Sequence, residues 1–272
     1  MRDSWYEDQH ASAVPRGFDD LIYWGSPSTG ERGGSLLAQE SIKTYVDGLD
    51  EKMEGGIPVG SAVLLAGTAG TMKSTFAFSV LYHNATHKKK HGVYITLEQS
   101  EESLHQQMQA MGFNMALVEK DLTFVDISKV RGGLQEFGKT GAWLDFVNDV
   151  MLEVHEFKPI DIVAFDSLGV IEILTDMKNP RKDLFGMVRM FKRLKATSLL
   201  ISEMSYNSME FGRHDESFLV DGIIYVKQQE IQEVEHENWL RVVKMRGIKH
   251  STSYEQLHFK DGKFSISTIV PD

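Results

Sequence analysis

Between residues 62 and 82 the chain runs a strand, a glycine-rich loop and a helix in immediate succession, an order that few folds accept. Ala62-Val63-Leu64-Leu65-Ala66 is an apolar run of strand length. Gly67-Thr68-Ala69-Gly70-Thr71-Met72-Lys73-Ser74 follows, and Thr75 to Tyr82 continues without a breaker. This arrangement aims backbone N–H groups and a helix N-terminus at one point, which suits a phosphate. The loop meets the pattern G-x-x-x-x-G-K-[ST] at every position but one, where Met72 replaces glycine. On this reading Thr68, Ala69, Gly70, Thr71, Met72, Lys73, Ser74 and Thr75 surround the phosphates. Lys73 neutralises the β- and γ-phosphates, and the Ser74 hydroxyl ligates Mg²⁺. A nucleoside triphosphatase is expected. The competing reading is a glycine turn ahead of a core helix. Glycine at such a place serves close approach of backbone to phosphate. Methionine is expected to serve there only with a negative φ and a side chain directed away from the nucleotide.

The rest of the chain supplies a sheet for this loop. Val93-Tyr94-Ile95-Thr96-Leu97, Leu122-Thr123-Phe124-Val125, Ile162-Val163-Ala164-Phe165 and Ser198-Leu199-Leu200-Ile201 are short apolar runs. Between them, Glu101 to Met111, Trp143 to Phe157 and Leu184 to Leu194 have helical composition or apolar spacing. Short apolar strands alternating with helices predict a mostly parallel sheet with helices on both faces. From Asp221 onward, Ile223–Val226, Leu240–Val243 and Leu257–Phe259 are joined by polar turns and predict an antiparallel edge. Residues 1–43 are polar and rich in glycine and serine, and are expected to be an extension, partly flexible. The domain is expected over residues 44–272.

Composition sets the remaining bounds. The formal charge is −10 over 272 residues, so no global basic field is available for nucleic acid or anionic lipid. There is no cysteine, hence no disulfide or thiolate metal site. No apolar run approaches the roughly 18 residues needed to span a bilayer, and the N-terminus lacks the apolar core of a secretion signal. A cytoplasmic protein without a membrane partner is expected.

In open α/β sheets ligands bind beyond the carboxyl ends of the strands. Three acids stand there: Glu98, Asp166 and Glu203. Asp166 after an apolar strand suits a Mg²⁺-holding carboxylate, with Ser74 as the second ligand. Glu98 is placed to orient or deprotonate an attacking water. Glu203, beside Ser202, is placed to sense the γ-phosphate. Any one of them alone reads equally as a helix cap or a solvated loop residue.

With these residues in view the chain resembles the KaiC family of RecA-like ATPases. The resemblance is carried by Gly55-Gly56-Ile57-Pro58-Val59-Gly60, the P-loop, Tyr94-Ile95-Thr96-Leu97-Glu98-Gln99, Phe165-Asp166-Ser167 and Lys244-Met245-Arg246-Gly247-Ile248-Lys249-His250. It runs in order from about Lys43 to the C-terminus and leaves residues 1–42 outside. It implies a RecA-like core, ATP and Mg²⁺ as ligands, and a homohexameric ring with nucleotide between subunits. Lys244, Arg246 and His250 then face the nucleotide bound by the neighbouring subunit, and Met245 and Asp261 are further nucleotide-binding candidates. Glu98, Lys73, Arg246 and Lys244 carry catalysis, and a regulatory protein partner reads the nucleotide state. Lys244 and Arg246 alternate along a strand and so share a side. Two departures point to slow turnover or a nucleotide held as a switch: Met72, and Gln99 where the family often has a second glutamate. Where the double-domain clock relatives carry their autophosphorylated residues, this chain has Glu216-Ser217-Phe218-Leu219, with Ser217 the one acceptor; a clock role is not expected. The competing classes are a recombinase-like module on DNA, which the charge disfavours, and a non-hydrolysing nucleotide-switch regulator.

Overall fold

The computed structural model describes residues 40–127, 142–174, 179–205, 211–212, 216–231 and 235–269. The expected extension lies outside these residues except for its last four. Of those, Ser41–Ile42 form a short strand, β1, paired antiparallel with β2, Ile57–Pro58.

The main sheet is built on the apolar runs. Its parallel strands are β3 (Ala62–Gly67), β4 (Gly92–Thr96), β5 (Leu122–Asp126), β6 (Ile162–Asp166), β7 (Thr197–Glu203) and β8 (Gly222–Ile231). Three antiparallel strands extend it: β9 (Glu235–Met245), β10 (Glu255–Lys260) and β11 (Lys263–Thr268). The order across the sheet is β11-β10-β9-β8-β3-β7-β6-β4-β5. Helices α1 (Lys73–Lys88), α2 (Glu101–Ala110), α3 (Ala142–Phe157), α4 (Leu168–Leu174), α5 (Pro180–Arg193) and α6 (Glu216–Leu219) connect the strands. The expected α/β fold with an antiparallel C-terminal edge is therefore present. The edge is longer than the apolar runs foretold, because β8 and β9 continue as a ribbon of polar residues.

The central strands are buried on both faces, as parallel strands covered by helices must be. In β3, Val63 and Leu65 join one core with Phe76, Phe78 and Leu81 of α1, while Ala62, Leu64 and Ala66 join a second with Met187 and Phe191 of α5. This double burial fixes β3 in register between β7 and β8, with Gly67 opposite Glu203 on one side and Val226 on the other. The P-loop thus leaves the sheet at its middle, where consecutive connections diverge. Among the described residues no helix is long and apolar enough to cross a membrane.

Candidate active site at the carboxyl ends of the strands

The P-loop takes its shape from three unusual backbone positions. A Cβ on Gly67 would lie 2.2 Å from the Val226 carbonyl oxygen and 2.8 Å from Thr71 Oγ1, so only glycine fits there. Gly70 has φ +80° and Met72 φ +63°. The expectation of a negative φ at Met72 is therefore wrong: the loop keeps the left-handed turn that glycine would supply, and methionine adopts it. The Met72 side chain is half-buried against the core on the α1 face, whereas Ala69 and Gly70 are exposed. That packing opposes a left-handed cost of about 1–2 kcal/mol.

Within the loop, the Thr68 carbonyl accepts Thr71 Oγ1 at 2.8 Å and Lys73 Nζ at 2.7 Å. Lys73 is only 5% exposed. Burial pulls its ammonium below the usual lysine range, and the charges of Glu203, Asp166 and Glu98, in that order, pull it back. The three acids read from strand ends therefore converge on one lysine. Asp166 is buried as well. Burial raises its carboxyl above the ordinary range, hydrogen bonds from Tyr94 and Ser74 lower it, the Glu98 charge raises it and Lys73 lowers it. Tyr94 donates to Asp166 Oδ2 at 2.6 Å. Ser167 Oγ donates to Glu98 Oε1 at 2.6 Å, which fixes an otherwise exposed carboxylate. Gln99 is turned toward the first turn of α2, with its Oε1 3.4 Å from Ser103 Oγ, and its carbonyl accepts Thr96 Oγ1.

These residues fit a magnesium nucleotide. Mg²⁺ takes one or two protein oxygens and completes its shell with phosphate and water. Ser74 and Asp166 lie close enough for the Ser74 hydroxyl to act on the Asp166 carboxyl, and can supply those two oxygens. Among the described residues no three His, Asp or Glu side chains form a protein-only metal cage.

The second set of residues lies elsewhere. Lys244 pairs with Ile223, and Ile223 with Leu64, three positions before Gly67. At roughly 3.3 Å per residue that is about 10 Å from the P-loop end, two strands away. Arg246 is one residue past the end of β9, a small correction to its expected place on the strand. Its N–H donates to the carbonyl of Asp221, the residue before β8, and its side chain is 59% exposed. A bulge between Ile223 and Ile224 re-aims the end of β9. Lys244 Nζ donates to the Ser217 carbonyl at 2.8 Å; burial, then the neighbouring Arg246 charge, lower its proton affinity. The Met245 side chain is buried against Gly222, so only its main chain is available to a ligand. Both His250 ring nitrogens are shielded from solvent without a hydrogen-bond partner. Asp261 lies in the β10–β11 turn, packed on Gly112, beside Gly262, whose carbonyl meets His83 Nε2 at 3.0 Å. None of these five residues is brought to the chain's own P-loop by an observed contact.

Sequence reading gave no role to Tyr94, Ser167, Lys192 or Asp221. Tyr94 sat inside an apolar run, where a hydroxyl is easily taken for packing. Ser167 was visible as the neighbour of Asp166, but its partner is 69 residues away.

Comparison with known proteins matches residues 42–269 to the family model described as "ATPase: KaiC". A UPF0273 protein of Thermotoga maritima is 30% identical over 217 residues, covering 77% of this chain and 88% of the relative. A circadian clock oscillator protein KaiC of Picosynechococcus is 25% identical over 226 residues, covering 82% of this chain but 43% of the relative. The fold is shared with the crystal structure of a KaiC-like protein from Pyrococcus horikoshii, at TM-score 0.73 and 24% identity, over 84% of this chain and 99% of that one.

Proposed function

The chain belongs to the KaiC family of ATPases, and from that premise we propose that it binds and slowly hydrolyses MgATP at contacts between identical subunits of a ring. The observation that carries this reading is the separation of its two functional sets. Lys73, Ser74, Asp166, Glu98 and Glu203 gather at one end of the sheet. Lys244 and Arg246 gather toward the opposite end, around Asp221. A cation pair that cannot reach its own P-loop can serve the P-loop of a neighbour.

The residues divide the work by position. The loop N–H groups and Lys73 hold the phosphates. Mg²⁺, when bound, would supply positive charge against the phosphates. Ser74 and Asp166 would hold it, and Tyr94 keeps the Asp166 carboxylate oriented. Glu98, braced by Ser167, accepts the proton of an attacking water. Arg246 and Lys244 of the adjoining subunit meet the charge that develops on the transferred group, an effect of roughly 10³–10⁵ where arginine fingers act. Glu203 pairs with Gly67 at the root of the loop and reports the phosphate state to β7. Gln99 faces α2, so Glu98 works as a single carboxylate, in keeping with slow turnover. The nucleotide state is then read by a protein partner, in the cytoplasm. The −10 charge favours a protein over a nucleic acid in that role.

The test is complementation. Subunits with Lys73→Ala and subunits with Arg246→Ala are each expected to be inactive. Mixed rings contain some contacts with an intact P-loop on one side and an intact finger on the other, and should recover part of the activity. A mixture that stays inactive while labelled subunits demonstrably exchange would overturn the shared site. Full ATPase activity from a diluted monomer would do so as well.

A further inference from the structure

We propose that Asp221 is a positioning residue for Arg246 and Lys244, and that it ties the strand carrying one subunit's P-loop to the nucleotide held by the next subunit. The proposal rests on the reading that Arg246 acts across a subunit contact.

Asp221 is bonded to β3 through its main chain and side chain, and to Arg246 through its main chain. Its N–H donates to the Ala62 carbonyl at 2.8 Å, and its Oδ2 accepts the Ala62 N–H at 2.9 Å. Ala62 is the first residue of β3, whose other end is the P-loop. The Asp221 carbonyl accepts the Arg246 N–H at 2.9 Å. One residue thus grips the root of the P-loop strand and the residue that reaches out of the subunit.

The side chain adds an electrostatic arrangement that a purely structural clamp does not need. Lys192 Nζ, from the last turn of α5, sits between the two carboxylate oxygens, 2.9 Å from Oδ1 and 2.8 Å from Oδ2. Arg246 Nη1 is 3.8 Å from Oδ1, beyond hydrogen-bonding distance. The third cation is Lys244, which feels the charges of both Arg246 and Asp221. The difference between the Lys192 and Arg246 distances matters most. Arg246 is ion-paired with the carboxylate but not hydrogen-bonded to it, so it can turn outward toward a phosphate at little cost. Lys192 stays behind, so the mostly shielded carboxylate keeps a counter-charge when the guanidinium leaves. Stranding a shielded charge would otherwise oppose the movement.

The test uses the full-length protein and a comparison of turnover with nucleotide affinity. Asp221→Asn keeps an oxygen for the Ala62 N–H and removes the charge. ATP affinity, ring assembly and melting temperature should be unchanged, and kcat should fall roughly fivefold, the scale of one partly exposed ion pair. Lys192→Met alters an exposed side chain and leaves Arg246 to be captured by the bare carboxylate. It should also lower kcat, and should have no effect once Asp221→Asn is present. In a chain carrying Arg246→Ala, Asp221→Asn should not reduce the residual turnover further. Losses that multiply in these double variants, an unchanged kcat for Lys192→Met, or an Asp221→Asn protein that loses ATP affinity and stability along with turnover would each overturn the proposal. If Asp221→Asn fails to fold, the Lys192→Met arm still decides it. Normal turnover in Arg246→Ala alone would instead remove the shared-site reading on which the proposal stands.

Discussion

At the carboxyl ends of β3, β4, β6 and β7, three carboxylates face a single ammonium, that of Lys73. Around the start of β8 and the end of β9, three cations face the single carboxylate of Asp221. The two regions also differ in how they are held. Lys73 and Asp166 are 5% and 6% exposed and are fixed by short hydrogen bonds, whereas the Arg246 side chain is mostly open to solvent. A buried polar network of this kind is arranged before the ligand arrives. An exposed guanidinium adapts to whatever approaches it. The first region has an excess of negative charge that a divalent cation can satisfy, and the second an excess of positive charge that a phosphate can satisfy. Each region lacks what the other, with a nucleotide, would bring.

The sharpest way to break this comparison is to remove the cation from each region in turn. Lys73→Ala should weaken ATP binding roughly 100-fold or more, because it strips a buried charge from its partners; calorimetric titration with MgATP measures it. Arg246→Ala should leave that affinity nearly intact and lower turnover roughly 10³-fold, read by single-turnover hydrolysis. If both changes cost affinity equally, the two regions do not have separate roles.

Within the buried region the base and its brace should also separate. Glu98→Gln is expected to lower turnover by roughly 10²–10³ with binding retained. Ser167→Ala removes the 2.6 Å bond to Glu98 but leaves the carboxylate, so a loss of about tenfold is expected. A Gln99→Ala protein that loses hydrolysis as completely as Glu98→Gln would show that the base has been misassigned.

The buried carboxylate of Asp166 should also tax stability. Burial raises the Asp166 carboxyl above its ordinary value of 3.8. Protonated Asp166 therefore favours the folded state below about pH 3.8, and that contribution is lost as pH rises through the elevated folded value. At neutral pH the nucleotide-free protein carries this cost. Asp166→Asn, which keeps an acceptor for Tyr94, should raise its melting temperature at pH 7 by roughly 2–4 °C per kcal/mol relieved and abolish the response to Mg²⁺. The gain should shrink as the pH is lowered. Equal melting temperatures at every pH would mean that Tyr94, Ser74 and Lys73 already compensate the charge.

How much of this was legible in the sequence follows the same division. The parallel core was readable because doubly buried strands such as Ile162–Phe165 are continuous apolar runs. The acids at their ends were readable because the sheet's polarity places them. Tyr94, Ser167 and Lys192 were not, because each acts on a partner brought in by crossovers, and no local pattern records that pairing. The polar half of the β8–β9 ribbon was likewise hidden: Gln228 to Ile231 and Glu235 to Asn238 carry no apolar alternation to mark them as strand. Met72 shows a different limit. Its residue type argued for an ordinary φ, and the turn imposed by the loop overrode that preference.

Met72 also supplies the smallest expected effect. Two terms act on this side chain, and they have opposite signs. Its left-handed backbone, at φ +63°, costs about 1 kcal/mol relative to glycine. Its packing against the α1-side core returns a similar amount for a half-buried thioether chain. Met72→Gly loses both terms and should leave the melting temperature nearly unchanged. Met72→Ala loses the packing but keeps the strained φ, and should be less stable than Met72→Gly by about 1 kcal/mol. Chemical denaturation of the three proteins without nucleotide measures the order. Glycine would also free the loop to approach the phosphates more closely, so Met72→Gly should turn over at least as fast as the natural chain. An alanine variant as stable as the glycine variant would show that the loop has relaxed out of the left-handed turn. The methionine would then be an adaptation of the loop's shape rather than a tolerated strain.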